Sequence, residues 1–379
     1  MSAHDVHAAL RAEVRRCLDK HVDVRPYLAE SGDEARTDWS LWQRLAGEMG
    51  LAGLLVPEPD GGSGGTVGHL AVVFEELGAT LAPVPMFSTA GLVLPVLRAV
   101  GPAGPVRELL AEIASGSTVA TLALHETDGR YAPQATSARV AQAGPGWMLT
   151  GTKSFVTDAA FAEVFVVPVR VDGGIGLAAV RAEEARIVTM SSLDLLRPLA
   201  KVDFDRAEAF LLAEGDVSRH LESGLDIALV LLAAEQLGGA QRCLDTAVSY
   251  AKSRVQFGRP IGSFQAIKHQ LVDLLLEVEL ARSALTHAVQ VADDYLQDPS
   301  PATARALAEG ASLTRALCSE TYAHVADGAL HIHGGIGFTW EHDCHLYYRR
   351  ATATRVLFGN PDDHRERLAV AAGLGRRSE

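Results

Sequence analysis

Two stretches of the chain combine residue types able to grip a phosphorylated, aromatic ligand. The first is Ser253-Arg254-Val255-Gln256-Phe257-Gly258-Arg259-Pro260-Ile261-Gly262-Ser263-Phe264-Gln265-Ala266-Ile267-Lys268. Arg254 offers a planar fork of donors suited to a phosphate pair, and a phenylalanine ring beside it can cover a flat cofactor. The second is His331-Ile332-His333-Gly334-Gly335-Ile336-Gly337-Phe338-Thr339-Trp340-Glu341. Its glycines, lacking Cβ atoms, let backbone N–H groups approach an anionic or ribosyl ligand.

Two other constellations lead elsewhere. Gly61-Gly62-Ser63-Gly64-Gly65 matches GxSxG, the nucleophile elbow of hydrolases, which requires a strand ending directly at the turn and a helix starting directly after it. Pro57 to Asp60 intervene, so the run reads as a loop, and a serine hydrolase using Ser63 is the distant alternative. His331, His333, His342, His345 and Cys344 carry zinc-type donors. His331 and His333, two residues apart, point to different sides of a helix or strand, and no metal is expected.

The elements that must position these residues fall into three stretches. From Asp5 to about Leu110 the rhythm is helical, broken by the turn-forming run from Pro57 to Gly65. Near Ser117 it becomes β-prone, with Thr118–Leu124, Val164–Val167 and Gly176–Val180, and a turn at Gly144-Pro145-Gly146. After Gly224 the helical period returns, clearest where Leu271, Leu274, Leu275, Val278, Ala281, Leu285, Ala288, Val289 and Ala292 form one apolar stripe. Helices, then strands, then helices, without βαβ alternation, predict an α+β protein rather than a doubly wound nucleotide fold. The expected domains are 1–116 (helical), 117–215 (β) and 216–379 (helical).

A chain of 379 residues with 48% apolar residues can bury a large core. Its net charge of −13 repels a phosphate backbone, so nucleic acid is not an expected partner. Four cysteines without a CxxC pair suit a reducing compartment. The N-terminus carries no basic stretch leading into an apolar segment, and no run resembles a membrane span. A soluble, cytoplasmic protein without membrane contact is expected.

The Arg254 block and the glycine block together resemble the C-terminal signature of the acyl-CoA dehydrogenase flavoproteins. The resemblance covers nearly the whole chain. It implies an N-terminal helical domain, a middle β-barrel-like domain and a C-terminal four-helix bundle, with FAD as cofactor. By the same likeness Arg254 holds the FAD pyrophosphate of a neighbouring subunit, with Phe257, Phe264 and Gln265 close to the cofactor. His331, Gly334 and Gly335 line the adenosine side. Leu124 and His125 end the flavin-contacting strand, while Phe155 and Thr157 flank the isoalloxazine.

The implied reaction is α,β-desaturation of an acyl-CoA thioester. A carboxylate removes the α-proton, a hydride leaves the β-carbon for flavin N5, and the thioester oxygen is hydrogen-bonded to acidify the α-proton. The chain departs from the family where that carboxylate belongs. Phe358 occupies the usual glutamate position, and the alternative position on the first C-terminal helix is Ala228, followed by Leu229 where the family has arginine. The acyl-CoA loop is reduced to Glu126-Thr127-Asp128-Gly129-Arg130. Glu235, two helical turns past Ala228 and about 10 Å along the axis, is a weak substitute, as are Asp362 and Asp363, whose stretch reads equally well as a helix N-cap. The backbone N–H of position 358 survives the substitution.

The expected partners are an acyl-CoA substrate, an acceptor such as an electron-transferring flavoprotein, and further subunits. These form a homo-oligomer or a heterotetramer with a second dehydrogenase chain. The base-less role in a heteromer is linked by the resemblance to bulky, steroid-like side-chain thioesters. The alternative outside the enzyme class is a flavin-free structural paralogue that stabilises a dehydrogenase partner.

Overall fold

Short β-prone runs separated by turn residues cannot bury their apolar faces singly, and in the middle of this chain they close on one another. The computed structural model describes residues 3–28, 35–129, 133–144 and 146–374; Arg130 and Pro145 lie outside them. In chain order the helices α1 (Ala3–His21), α2 (Trp39–Trp42), α3 (Val67–Thr80), α4 (Leu94–Val100) and α5 (Pro105–Ala114) come first. Strands β1 (Ala120–Leu122), β2 (Arg139–Ala143), β3 (Gly146–Thr157), β4 (Val164–Val171), β5 (Gly174–Arg181), β6 (Arg186–Met190) and β7 (Leu199–Ala213) follow. Then come α6 (Ser218–Ser253), the two-strand ribbon β8 (Val255–Gln256) and β9 (Arg259–Pro260), α7 (Gln265–Gln297), α8 (Pro301–His333), α9 (Cys344–Val356) and α10 (Pro361–Ala371).

The chain divides into two compact units. One comprises residues 23–70 and 83–228, the other 1–22, 71–82 and 229–379, so α3 and α6 contribute to both. The composition shifts near 116 and 215 fall just after α5 and just after β7, while compactness groups α1 and most of α3 with the C-terminal helices.

In the first unit the strands pair in the order β1-β4-β2-β3-β7-β5, and an additional β4–β5 ladder closes the path. The result is a small barrel of β4, β2, β3, β7 and β5, with β1 parallel to β4 and β6 antiparallel to β7 at its margins. A barrel of this size has room only for side chains. Its core includes Leu149, Phe165, Val167, Val169, Val180, Val202 and Phe204. Among the described residues of this unit, closure leaves only the strands β1 and β6 outside the ring, the standard answer to the edge-strand hazard.

Ser63 sits in an exposed loop between a single 3₁₀ turn (Glu58–Asp60) and α3, with no strand leading into it. The GxSxG match is therefore not a nucleophile elbow. A Cβ on Gly62 would lie 2.2 Å from Val56 O, which accounts for one glycine of the run by close packing.

The second unit is helical. Arg11 and Arg15 on α1 reach Glu76 on α3 at 2.8 Å. Helices α3 and α6 approach so closely that a Cβ on Gly78 would lie 1.9 Å from Glu235 O, and one on Gly238 1.9 Å from Glu75 O. Helix α6 is long and apolar enough to cross a membrane, contrary to the expectation that no such run exists. Its apolar window is entirely buried, the mark of a core helix. The α7 stripe is buried at Leu274, Val278, Ala281, Leu285, Ala288 and Ala292 as its spacing predicts, but Leu275 is exposed, with Val272, Leu276 and Leu280. Leu275 lies one residue, about 100°, off the buried line.

Candidate functional site

Strand β3 carries two of the nominated residues, Phe155 and Thr157. Between its exposed and apolar positions stands Lys153, with 0% of its surface exposed. Its ammonium donates to Leu124 O at 3.3 Å, to Thr136 Oγ1 at 2.9 Å and to Glu126 Oε1. Burial pulls the lysine below its usual pKa, and Glu126 opposes that pull. Burial alone would raise Glu126, but hydrogen bonds from Lys153 and Ser137 outweigh it. From the other side Ser154 N–H donates to His125 O at 2.9 Å. The backbone from Leu124 to Glu126 is thus pinned at both ends.

The buried His125 ring meets the Phe155 ring edge-on, centroids 6.5 Å apart. Burial, and secondarily the Lys153 charge, push its pKa down to about 4, so the imidazole is neutral at pH 7. Phe155 has φ +53°, a left-handed conformation that a bulky residue adopts only under constraint. Gly129 makes room for it: a Cβ there would lie 2.9 Å from the ring. Thr157 is 1% exposed, and its Oγ1 has no hydrogen-bond partner. Leaving a buried hydroxyl unpaired costs on the order of 1–3 kcal/mol. An orphan at this position fits a ligand that supplies the missing partner.

In the helical unit α6 ends at Ser253 and α7 starts at Gln265, as the spacing predicts. Between them β8 and β9 pair with Gln256 opposite Arg259. The two connecting residues, Phe257 at φ +53° and Gly258 at φ +76°, supply the left-handed pair that a two-residue hairpin of the I′ type demands. Phe257 is 91% exposed at this tip. Phe264 stands behind it at 6.1 Å, and the Arg259 guanidinium lies 4.1 Å from the Phe264 ring. Arg254 is exposed beside this aromatic arm, as is Gln265. An aromatic ring presented to solvent on a strained hairpin contributes nothing to this chain's own core.

Helix α8 ends where the glycines begin. Gly334 takes φ +64° as its cap, and Cβ atoms on Gly334 and Gly335 would meet nothing within 4 Å. The chain leaves that space open. His331 turns outward, its Nδ1 2.9 Å from Asp327 O and 3.3 Å from Asp327 Oδ2. His333 turns inward, stacked on Tyr250 at 4.4 Å and facing His342 at 4.5 Å. The predicted divergence of His331 and His333 holds, while His333, His342 and Cys344 converge with donor atoms within 4.8 Å of one another. The donors are partly committed: His333 Nδ1 donates to Ala329 O at 2.7 Å, and His342 Nδ1 accepts from Cys344 N–H at 3.2 Å.

Position 358 lies in the link between α9 and α10. Phe358 is buried, with φ +58°, and Gly359 follows at φ +96°. Glu235 is also buried, its carboxylate 2.9 Å from Arg350 Nη1 on α9. Asp363 closes a capping box with Asn360 at the start of α10, and Asp362 pairs with Arg365 at 2.9 Å. Among the described residues six non-glycine positions have positive φ, and three of them, Phe155, Phe257 and Phe358, are nominated site positions. Backbone strain concentrates where surrounding structure over-determines it, commonly at functional sites. Lys153 was not nominated; a lone lysine inside Thr152-Lys153-Ser154-Phe155-Val156 is the one sequence signal it leaves.

Family models agree with this geometry. The acyl-CoA dehydrogenase N-terminal domain matches residues 4–117 and the C-terminal domain residues 219–373. The chain belongs to the acyl-CoA dehydrogenase family, FAD-dependent oxidoreductases acting on CH–CH bonds. It is 33% identical to "Acyl-CoA dehydrogenase IpdE2" of Mycolicibacterium smegmatis, over 95% of this chain and 96% of that protein. Among solved structures it is similar to a variant of the Tcur3481-Tcur3483 steroid ACAD, at 29% identity and TM-score 0.85, covering 98% of this chain and 99% of that one. It is also similar to the ChsE4-ChsE5 complex from Mycobacterium tuberculosis, at 25% identity and TM-score 0.84, covering 100% and 99% of the two chains.

Proposed function

We propose that this chain is the base-less subunit of a two-chain acyl-CoA dehydrogenase that desaturates a bulky, steroid-like side-chain thioester. The observation that carries the reading is Phe358 at the family's glutamate position, with the substitute carboxylates committed elsewhere. Glu235 is 4% exposed and held by Arg350, and Asp362 and Asp363 serve the start of α10. A carboxylate held in a buried ion pair is oriented toward its cation, and drawing it away to meet a substrate α-carbon would leave the Arg350 charge buried without its partner. The partner chain supplies the base.

The residues present fit FAD. By the family likeness, Thr157 Oγ1, Phe155, His125 and Leu124 are one unit's candidates for a flavin ring, and Gly334, Gly335 and His331 are, separately, the helical unit's candidates for an adenosine. Arg254, with Phe257, Phe264 and Gln265, reaches a neighbouring subunit's pyrophosphate. When bound, the flavin accepts the hydride that leaves the substrate β-carbon. The chain's own part is to hold neutral His125 and the Leu124 carbonyl in place through Lys153 and to present the 358 N–H to the thioester oxygen. The steroid link is supported by the name of the similar Tcur3481-Tcur3483 steroid ACAD, and a two-chain assembly by the similar ChsE4-ChsE5 structure being a complex.

The test is the visible spectrum and light-scattering mass of the chain purified alone and after co-expression with a second dehydrogenase-like chain. Flavin-poor protein alone and a yellow hetero-oligomer on co-expression are expected. Stoichiometric flavin with turnover by the chain alone would overturn the base-less reading. A hetero-oligomer whose flavin is untouched by Arg254→Ala and Thr157→Val would favour the flavin-free structural paralogue.

A further inference from the structure

The segment Leu357-Phe358-Gly359, in the link between α9 and α10, is gripped by two buried side chains that the sequence did not single out. Arg315, on α8, is 0% exposed. Its Nη2 donates to Leu357 O at 2.7 Å and to Thr354 O, the last carbonyls of α9. A cation on the C-terminal carbonyls of a helix opposes the negative end of its dipole. Its Nη1 donates to Gln236 Oε1 at 3.1 Å and to Ser319 Oγ, and Gln236 Nε2 donates in turn to Thr354 Oγ1 at 3.1 Å. On the far side of the link His364, buried on α10, places Nε2 3.1 Å from Phe358 O. Burial first, then the charges of Arg315 and Arg367, push its pKa down to about 3. At pH 7 it is a neutral ring, so Nε2 carries the proton it donates. The carbonyls on either side of the 358 amide are therefore both fixed, and α8, α6 and α10 hold a left-handed phenylalanine in a conformation it would otherwise leave.

We propose that Arg315 and His364 are positioning residues for the reaction: by holding the Leu357 and Phe358 carbonyls they aim the 358 N–H at the substrate's thioester oxygen. The inference rests on the reading that this N–H polarises the thioester. A hydrogen bond weakens steeply as its N–H swings off line with the acceptor, which is why such donors are built into over-determined backbone. Neither side chain touches the substrate.

The test uses the flavin-loaded protein, with its partner chain where flavin retention requires it, and a steroid side-chain acyl-CoA isotope-labelled at the thioester carbonyl. The infrared stretch of the bound carbonyl reports its polarisation directly. The expected result is a downshift in the unaltered protein, at least halved in Arg315→Met and in His364→Leu, with acyl-CoA affinity changed by less than about 3-fold. His364→Gln, which keeps a donor, restores the shift. Should Arg315→Met fail to fold, the His364→Leu and His364→Gln pair decides. A full downshift in His364→Leu would overturn the positioning role while leaving the thioester reading intact. An unshifted carbonyl in the unaltered protein would overturn both.

Discussion

Single side chains decide how far the flavin side of the site is prepared in advance. Thr157 keeps a buried hydroxyl without a partner, so removing it relieves the empty protein and penalises the loaded one. Thr157→Val is therefore expected to leave the flavin-free protein's melting temperature unchanged or higher while weakening FAD about 10-fold, measured by flavin fluorescence titration. Lys153 behaves oppositely. Its ammonium holds Leu124 O, Thr136 and Glu126 at once, so Lys153→Met leaves several acceptors unpaired in the protein itself. With Glu126 partly exposed, the expected loss is about 2–3 kcal/mol in chemical denaturation, flavin present or absent. Equal behaviour of the two variants would show that neither residue discriminates the bound state. The sequence pointed to Thr157 through a family motif but was silent on Lys153, because a buried charge declares itself only through tertiary partners. Arg315 and the Glu235–Arg350 pair were illegible for the same reason: their partners lie on other helices, far along the chain.

Elements were far more legible than partners, since period and turn chemistry are local. The α7 stripe, the ends of α6 and the glycine-terminated α8 follow from spacing and capping. The ribbon between α6 and α7 was legible only as a Gly/Pro turn; its paired strands need the left-handed Phe257-Gly258 dipeptide to close. Barrel closure was expected from the family likeness alone, since the β2–β4 and β5–β7 contacts that complete the ring are non-local. The crossing of α3 and α6 is set by two glycines, and there the cost of a methyl group follows from distance. At 1.9 Å from a backbone carbonyl, a Cβ on Gly78 or Gly238 forces the helices apart. Gly238→Ala is expected to destabilise the protein by about 3 kcal/mol or more, despite alanine's better helix propensity, as read from the denaturation midpoint. A stabilised variant would show the helices free to separate. The ribbon carries the opposite expectation. Arg254 and Phe257 are exposed and bind nothing in the core, so Arg254→Ala should leave stability within about 0.5 kcal/mol and lower the flavin content of the assembled oligomer. Unchanged flavin would remove Arg254 from the site.

At the scale of the molecule, the chain's charge and buried imidazoles set where in pH it can hold its fold. His125 and His364 are buried in different units, with pKa values pushed from 6.5 to about 4 and about 3, chiefly by burial. In the unfolded chain both titrate near 6.5. Above that pH neither state carries the proton, and the two histidines leave stability independent of pH. As pH falls from 6.5 toward 4 the unfolded chain takes up protons that the folded one refuses, so stability is lost in that window. At pH 5 the unfolded state holds about two more protons than the native state on these groups, a slope near 2.7 kcal/mol per pH unit. Chemical denaturation between pH 7.5 and about 5 should therefore show a fall in unfolding free energy that is shallower in His364→Gln, whose amide retains a donor toward Phe358 O but does not titrate. The slope should drop by one histidine's share, about 1.4 kcal/mol per pH unit, since His125 and the likewise down-shifted His333 remain. An unaltered slope in that variant would mean that His364 is protonated in the native protein, and the hydrogen bond to the 358 carbonyl would then be made by an imidazolium rather than a neutral ring.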